Sequence, residues 1–307
     1  MKSTAQSTAQ TMPKQVATHL APAFDVLSAD FDAYVKKNDT DRWLVFSDYV
    51  LRNKKRKTST IAFTVVPGGN HFESNIRVAV SAAKSDFKSI GIVNDEMLEL
   101  LGNGSFYTFC FVAVQDQLPQ FATIENARAF IDAAAASLQK SIDVRGHAAA
   151  YQSFRALQQE AISKSFNFRL LGDILFISTL AAFIALQLGR RTRVDRFAWF
   201  SDRDKLVEAY GGFAYTFMAI AVSEYWQEIE RGSPGPMLGA NPPHLCTDRA
   251  WFDCMTRIPD YFAGAVAGWN LSRELNGLPL KYRQVLGIAT EAQSTMRIIR
   301  VGNIADK

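Results

Sequence analysis

Residues 43–51, Trp-Leu-Val-Phe-Ser-Asp-Tyr-Val-Leu, and residues 58–66, Thr-Ser-Thr-Ile-Ala-Phe-Thr-Val-Val, decide the fold. Both runs are dense in β-branched and aromatic residues, the types that fit a pleated, half-buried surface, so each reads as a strand. Between them, residues 52–57 (RNKKRK) are too charged to continue either run and predict a hairpin turn, hence an antiparallel pair. Residues 105–114 (SFYTFCFVAV) repeat that composition and predict a third strand, and residues 196–201 (RFAWFS) a short buried one.

Outside these runs the apolar period becomes helical. Phe24, Leu27, Phe31 and Tyr34 lie three or four apart and predict a helix over 24–36. Similar patterns predict helices within 73–101 and over 124–142, 148–164, 168–188, 205–230, 259–275 and 281–300. Gly189-Arg190-Arg191 closes one of them with the cations that a helix carboxyl end favours. Residues 232–243 (GSPGPMLGANPP) are too rich in Pro and Gly for regular structure, and a further strand is expected near His244. Strands interspersed with helices make an α/β protein. At 307 residues and 48% hydrophobic content, one large core is within reach. Residues 1–22, with Ser-Thr-Ala-Gln twice and no apolar run, read as a disordered leader rather than a secretory signal, leaving 23–307 as a single domain.

Charge and cysteine content narrow the class. Lys and Arg total 34 against 30 Asp and Glu, and a formal charge of +4 does not by itself call for a polyanionic partner. Cys110, Cys246 and Cys254 are odd in number and widely spaced, which excludes a disulfide framework and points to a reducing, cytoplasmic setting. Cys246 and Cys254, even with His244, lack the spacing and the fourth ligand of a zinc site. The most apolar stretch, 174–188, falls short of the roughly 20 residues a bilayer span requires, so no membrane association is expected. No Gly-x-Gly-x-x-Gly follows a strand, and Walker, Gly-x-Ser-x-Gly and His-Glu-x-x-His motifs are missing, which argues against nucleotide-fold, serine-hydrolase and zincin chemistry. His71, after Pro67-Gly-Gly-Asn, reads as a turn histidine or a general base.

The informative signal is a repeated tripeptide. Phe46-Ser47-Asp48 and Phe200-Ser201-Asp202 each bring an acid to an apolar strand, and strand carboxyl ends are where open sheets form ligand crevices. Asp202, with Asp204 close behind, reads either as a helix cap or as a site carboxylate. Asp48 lies inside a run of strand formers, where a carboxylate is unfavourable unless it faces water or is held for function. Asp260 opens the expected helix in Arg257-Ile-Pro-Asp-Tyr-Phe-Ala-Gly-Ala-Val-Ala-Gly268, whose small residues let it approach a neighbour closely.

Together, a first-strand Asp, an Asp after a later strand, and a late helix beginning Pro-Asp-Tyr-Phe-Ala-Gly-Ala resemble an uncharacterised bacterial and phage family with a ribonuclease H-like fold. That family carries Asp-Glu-Ser-Gly on its first strand and Ala-Asp-hydrophobic-hydrophobic-Ala-Gly near its carboxyl terminus. The resemblance spans residues 43–275 and implies a mixed sheet with an initial antiparallel hairpin and flanking helices. It implies Asp48, Asp202 or Asp204, and Asp260 as a catalytic acid set. Here Asp48 is followed by Tyr49, so the second acid of the first motif is missing. Carboxylates converging at about 4 Å hold two Mg²⁺ or Mn²⁺ ions, which activate water and stabilise the leaving oxygen in phosphodiester cleavage. Glu291 is a candidate extra ligand, and Arg52, Lys54, Lys55, Arg56 and Lys57 form a candidate nucleic-acid contact. The competing reading is a non-catalytic partner-binding protein of the same fold, with its acids capping helices and its cations in solvent.

Overall fold

A computed structural model describes residues 12–302 apart from 57, 70–71, 115–117, 119–120, 145–146, 203–204, 230–234, 241–251, 270–273 and 292–293. In chain order the elements are α1 (Met12–Asn38), β1 (Arg42–Val50), β2 (Thr58–Pro67), α2 (Phe72–Ala82), a single 3-10 turn (Phe87–Ser89), α3 (Asp95–Gly102) and β3 (Tyr107–Val114). There follow α4 (Ile124–Lys140), α5 (His147–Ala161), α6 (Phe168–Gly189), β4 (Arg196–Ser201) and α7 (Lys205–Ile229). The last are β5 (Met237–Ala240), α8 (Asp253–Gly268), a short turn at Leu275–Gly277, α9 (Leu280–Thr290) and β6 (Met296–Val301).

One six-stranded sheet, in the order β5-β4-β1-β2-β3-β6, runs through the middle. The expected hairpin is present: β1 pairs antiparallel with β2, as β2 does with β3. The outer contacts, β1 with β4, β4 with β5 and β3 with β6, are parallel. Strand alternation divides the side chains between two cores. Trp43, Val45, Phe63, Phe109, Phe111 and Trp199 pack with α1, α6 and α7. Phe46, Ala62, Cys110, Val112 and Met296 face the other way, with α8, α3 and α9. The α/β class and the mixed sheet are therefore as the sequence reads.

α6 is buried from Leu171 to Leu188, because the sheet, α1 and α7 enclose it. Phe168–Gly189 and Leu206–Gln227 are long and apolar enough to cross a membrane, but 94% of the most apolar stretch of the first lies inside the fold. α7 is broken near its start, where Tyr210, Gly211 and Gly212 take φ of 53°, 68° and 80°. Two glycines fit that left-handed turn. Tyr210 is tied there by its hydroxyl donating to the Asn167 carbonyl at 3.1 Å and by its ring against Phe166.

Five expectations are corrected. Residues 12–22, read as leader, form the first part of α1, where Val16 and Leu20 sit in the core eight and four residues before Phe24. The single helical pattern over 73–101 is two helices around the 3-10 turn. Within the Pro/Gly-rich stretch, residues 237–240 add to β4 as an edge strand. α8 begins at Asp253, not Pro259, because Phe252, Met255 and Ile258 already carry its buried stripe; Asp260 is thus mid-helix and not a cap. The helix expected over 281–300 ends at Thr290, and Met296–Val301 instead pairs with the open edge of β3. The strand expected near His244 lies outside the described residues, as do Asp204, Lys57, His71 and Cys246.

The small residues of α8 have a defined use. A Cβ at Gly264 would overlap the Phe87 ring and one at Gly268 the Tyr282 ring, so these aromatics lie directly on the helix backbone. Gly268→Ala should destabilise the protein by about 1–3 kcal/mol, the range for overpacking a close-fitted contact. A urea midpoint unchanged from wild type would show that Tyr282 can swing away.

Candidate functional site

The two Phe-Ser-Asp copies lie side by side. In the parallel register of β1 and β4, Phe46 faces Phe200 and Ser47 faces Ser201, and the Asp202 amide donates to the Ser47 carbonyl at 3.3 Å. Alternation then sorts each tripeptide the same way. Phe46 and Phe200 stack at 5.3 Å on the face that carries α8. Ser47 and Ser201 turn to the other face and are fully buried. There the Trp199 indole donates to Ser47 Oγ at 2.8 Å, and the Tyr49 hydroxyl hydrogen-bonds Ser201 Oγ. Asp48 returns to the α8 face, and Asp202 stands exposed just beyond the end of β4.

α8 delivers Asp260 to this point. The Asp260 side chain acts on Asp48 both as a neighbouring charge and as a partner for the protonated form of the Asp48 carboxyl. Burial first, then the charge of Asp260, and to a smaller degree that of Asp202, push the Asp48 carboxyl well above its ordinary value of 3.8. The Tyr49 amide, donating to Asp48 Oδ1 at 2.7 Å, partly opposes this. Asp260 Oδ2 accepts the Phe87 amide at 2.8 Å. Asp48, Asp202 and Asp260 thus share one electrostatic neighbourhood at the carboxyl ends of β1 and β4. Among the described residues, however, no group of three or more His, Cys, Asp or Glu is gathered tightly enough to hold an ion. Glu291 caps α9, lines a groove with Arg283 and Gln284, and is not among the charges acting on Asp48.

The basic hairpin divides in two. Arg52, at φ 45°, turns back to α6, where its Nε and second guanidinium nitrogen grip the buried Asp173 at 2.9 and 2.7 Å. Arg56 donates to the Gly268 carbonyl and to the Tyr282 hydroxyl, each at 3.3 Å. These two cations anchor the hairpin to the body of the protein. Lys54 and Lys55 project into solvent at its tip, at the same end of β1 as the acids. Residues that the sequence did not single out complete the surroundings: Asp173 below the hairpin, and the turn around Phe87, held by Arg257, Tyr261 and Lys281, beside Asp260.

No protein family, curated protein or solved structure matches the chain.

Proposed function

We propose that this is a ribonuclease H-like protein that cleaves phosphodiesters using Mg²⁺ or Mn²⁺ held by Asp48, Asp202 and Asp260. The observation that carries the reading is the in-register alignment of the two Phe-Ser-Asp segments, with the α8 acid in the electrostatic neighbourhood of the first. The sheet supports the fold-level part: β2 runs antiparallel between β1 and β3, β1, β4 and β5 run parallel, and β6 is an addition beyond β3.

The donor chemistry, all carboxylate oxygen, is that of a hard divalent ion, and burial first and then the charges of Asp260 and Asp202 raise the Asp48 pKa, a penalty a cation would relieve. In this reading Asp48, Asp202 and Asp260 would hold the ion. When bound, such ions activate water and stabilise the leaving oxygen. The chain's own residues do the rest. Tyr49 and Phe87 amides fix one oxygen each of Asp48 and Asp260, and Lys54 and Lys55 meet the phosphates of a nucleic-acid strand. The free thiols of Cys110 and Cys254 accord with a cytoplasmic location.

Single- and double-stranded DNA and RNA, incubated with Mg²⁺ or Mn²⁺, should be cleaved by the wild type. Asp48→Asn should lose on the order of 10²-fold or more, because the electrostatic support of a bound ion amounts to several kcal/mol of barrier. One observation favours a second reading. Asp48 and Asp260 each already accept a backbone amide, and burial followed by the Asp260 charge favours a proton on Asp48, the pattern of a structural carboxyl in a non-catalytic, partner-binding protein. Equal activity of wild type and variant, or none in either, selects that reading.

A further inference from the structure

We infer that Lys281, which does not touch the acid cluster, is the positioning residue for Asp260, acting through the turn at residues 85–90. The inference rests on the metal-site reading above. Asp260 Oδ2 accepts the Phe87 amide at 2.8 Å, a contact that helps fix its orientation. The next peptide of the turn is itself gripped, since Lys281 Nζ donates to the Phe87 carbonyl at 2.8 Å and to the Ile90 carbonyl at 2.9 Å. The same ammonium lies 4.7 Å from the centre of the Phe87 ring. Around Asp260, α8 contributes two more holds on the turn: Arg257 pairs with Asp86, and the Tyr261 hydroxyl donates to the Ser85 carbonyl at 3.2 Å. These two tie the turn to the helix that bears Asp260. Lys281 ties its backbone to a different helix, α9, whose Tyr282 also packs edge-on against the Phe87 ring, and so holds the turn independently of α8. Partners that orient a ligating carboxylate change metal affinity by about 10–100-fold.

The full-length chain should be compared as wild type, Lys281→Met and Lys281→Arg, by amide hydrogen exchange and by calorimetric titration with Mn²⁺ alone. Lys281→Met should speed exchange of the Phe87 amide about 10-fold or more while β1 and β2 amides keep their rates, and weaken Mn²⁺ binding about 10-fold. Lys281→Arg should restore both. Should the Met protein not fold, Lys281→Gln, which keeps a neutral donor, takes its place with the same readouts. Unchanged Phe87 exchange, or an equal acceleration of every amide in α8 and the sheet, overturns the positioning role while leaving a Mn²⁺-binding site intact. A wild type that binds no Mn²⁺ overturns the metal reading itself, and with it any role for the orientation of Asp260.

Discussion

Arg52→Met is expected to cost about 3–5 kcal/mol of folding stability, the range found when one partner is removed from a buried ion pair. Asp173 lies on α6 with its side chain 9% exposed, enclosed by apolar neighbours, and the Arg52 guanidinium satisfies both of its oxygens. Without the guanidinium, that carboxylate is left desolvated and unpaired, which is costly. The pair also accounts for the left-handed backbone at Arg52, which a residue with a side chain adopts only where its surroundings demand it. The double variant Arg52→Met, Asp173→Leu should recover most of the loss, because it leaves no unpaired charge in the interior. Denaturant midpoints check both. A loss below about 1 kcal/mol for Arg52→Met would mean that water reaches Asp173, and would return Arg52 to the set of cations available to a polyanion.

Asp48→Asn should stabilise the protein at neutral pH while abolishing any metal-dependent activity. The folded protein holds the Asp48 proton more tightly than the unfolded chain does, chiefly because the site is desolvated and next because Asp260 is adjacent. Its contribution to stability is therefore complete below the ordinary carboxylate value near 4. It is lost as the pH climbs from there through the raised folded value. A single proton can supply a slope of at most about 1.4 kcal/mol per pH unit over that window. Asparagine keeps the shape and a hydrogen-bonding group without the charge, so the stability difference between variant and wild type should grow as pH rises from 4 towards 8. Excess Mn²⁺ should raise the wild-type melting temperature and leave the variant where it was. Parallel pH profiles for the two proteins would show that Asp48 is solvated in both folded and unfolded states.

What could be read in advance followed the range over which each signal acts. The β1–β2 hairpin, β3 and β4 were legible because strand composition and a charged turn are local properties, and the repeated Phe-Ser-Asp marked two strand ends in advance of any structure. Its meaning was not local. Only the parallel register makes Asp48 and Asp202 neighbours, and only α8 brings the charge of Asp260 to bear on Asp48. The start of α8 was misplaced because Pro259 is the usual mark of a first helical turn, whereas here Phe252, Met255 and Ile258 bury enough surface to carry the helix across it. Residues 296–301 were absorbed into a helical pattern because a six-residue edge strand is defined by the open side of β3, which no window of sequence contains. The hairpin cations read as one patch. Their division into anchors and exposed lysines depends on Asp173 and on the end of α8, and a lone acid in the otherwise apolar α6 was the one hint of it.

The parallel pairing of β1 with β4 bears on how the chain matures. On the ribosome β1, β2 and β3 emerge early and can zip together as an antiparallel meander, but the far edge of β1 has no partner until residues 196–201 have been synthesised and α6 has been threaded between. For that interval a nascent chain presents an unprotected strand edge and the apolar surface that α6 will cover, the combination that recruits chaperones and seeds self-association. Fragments ending before β4 should therefore accumulate as aggregates rather than as a smaller folded unit.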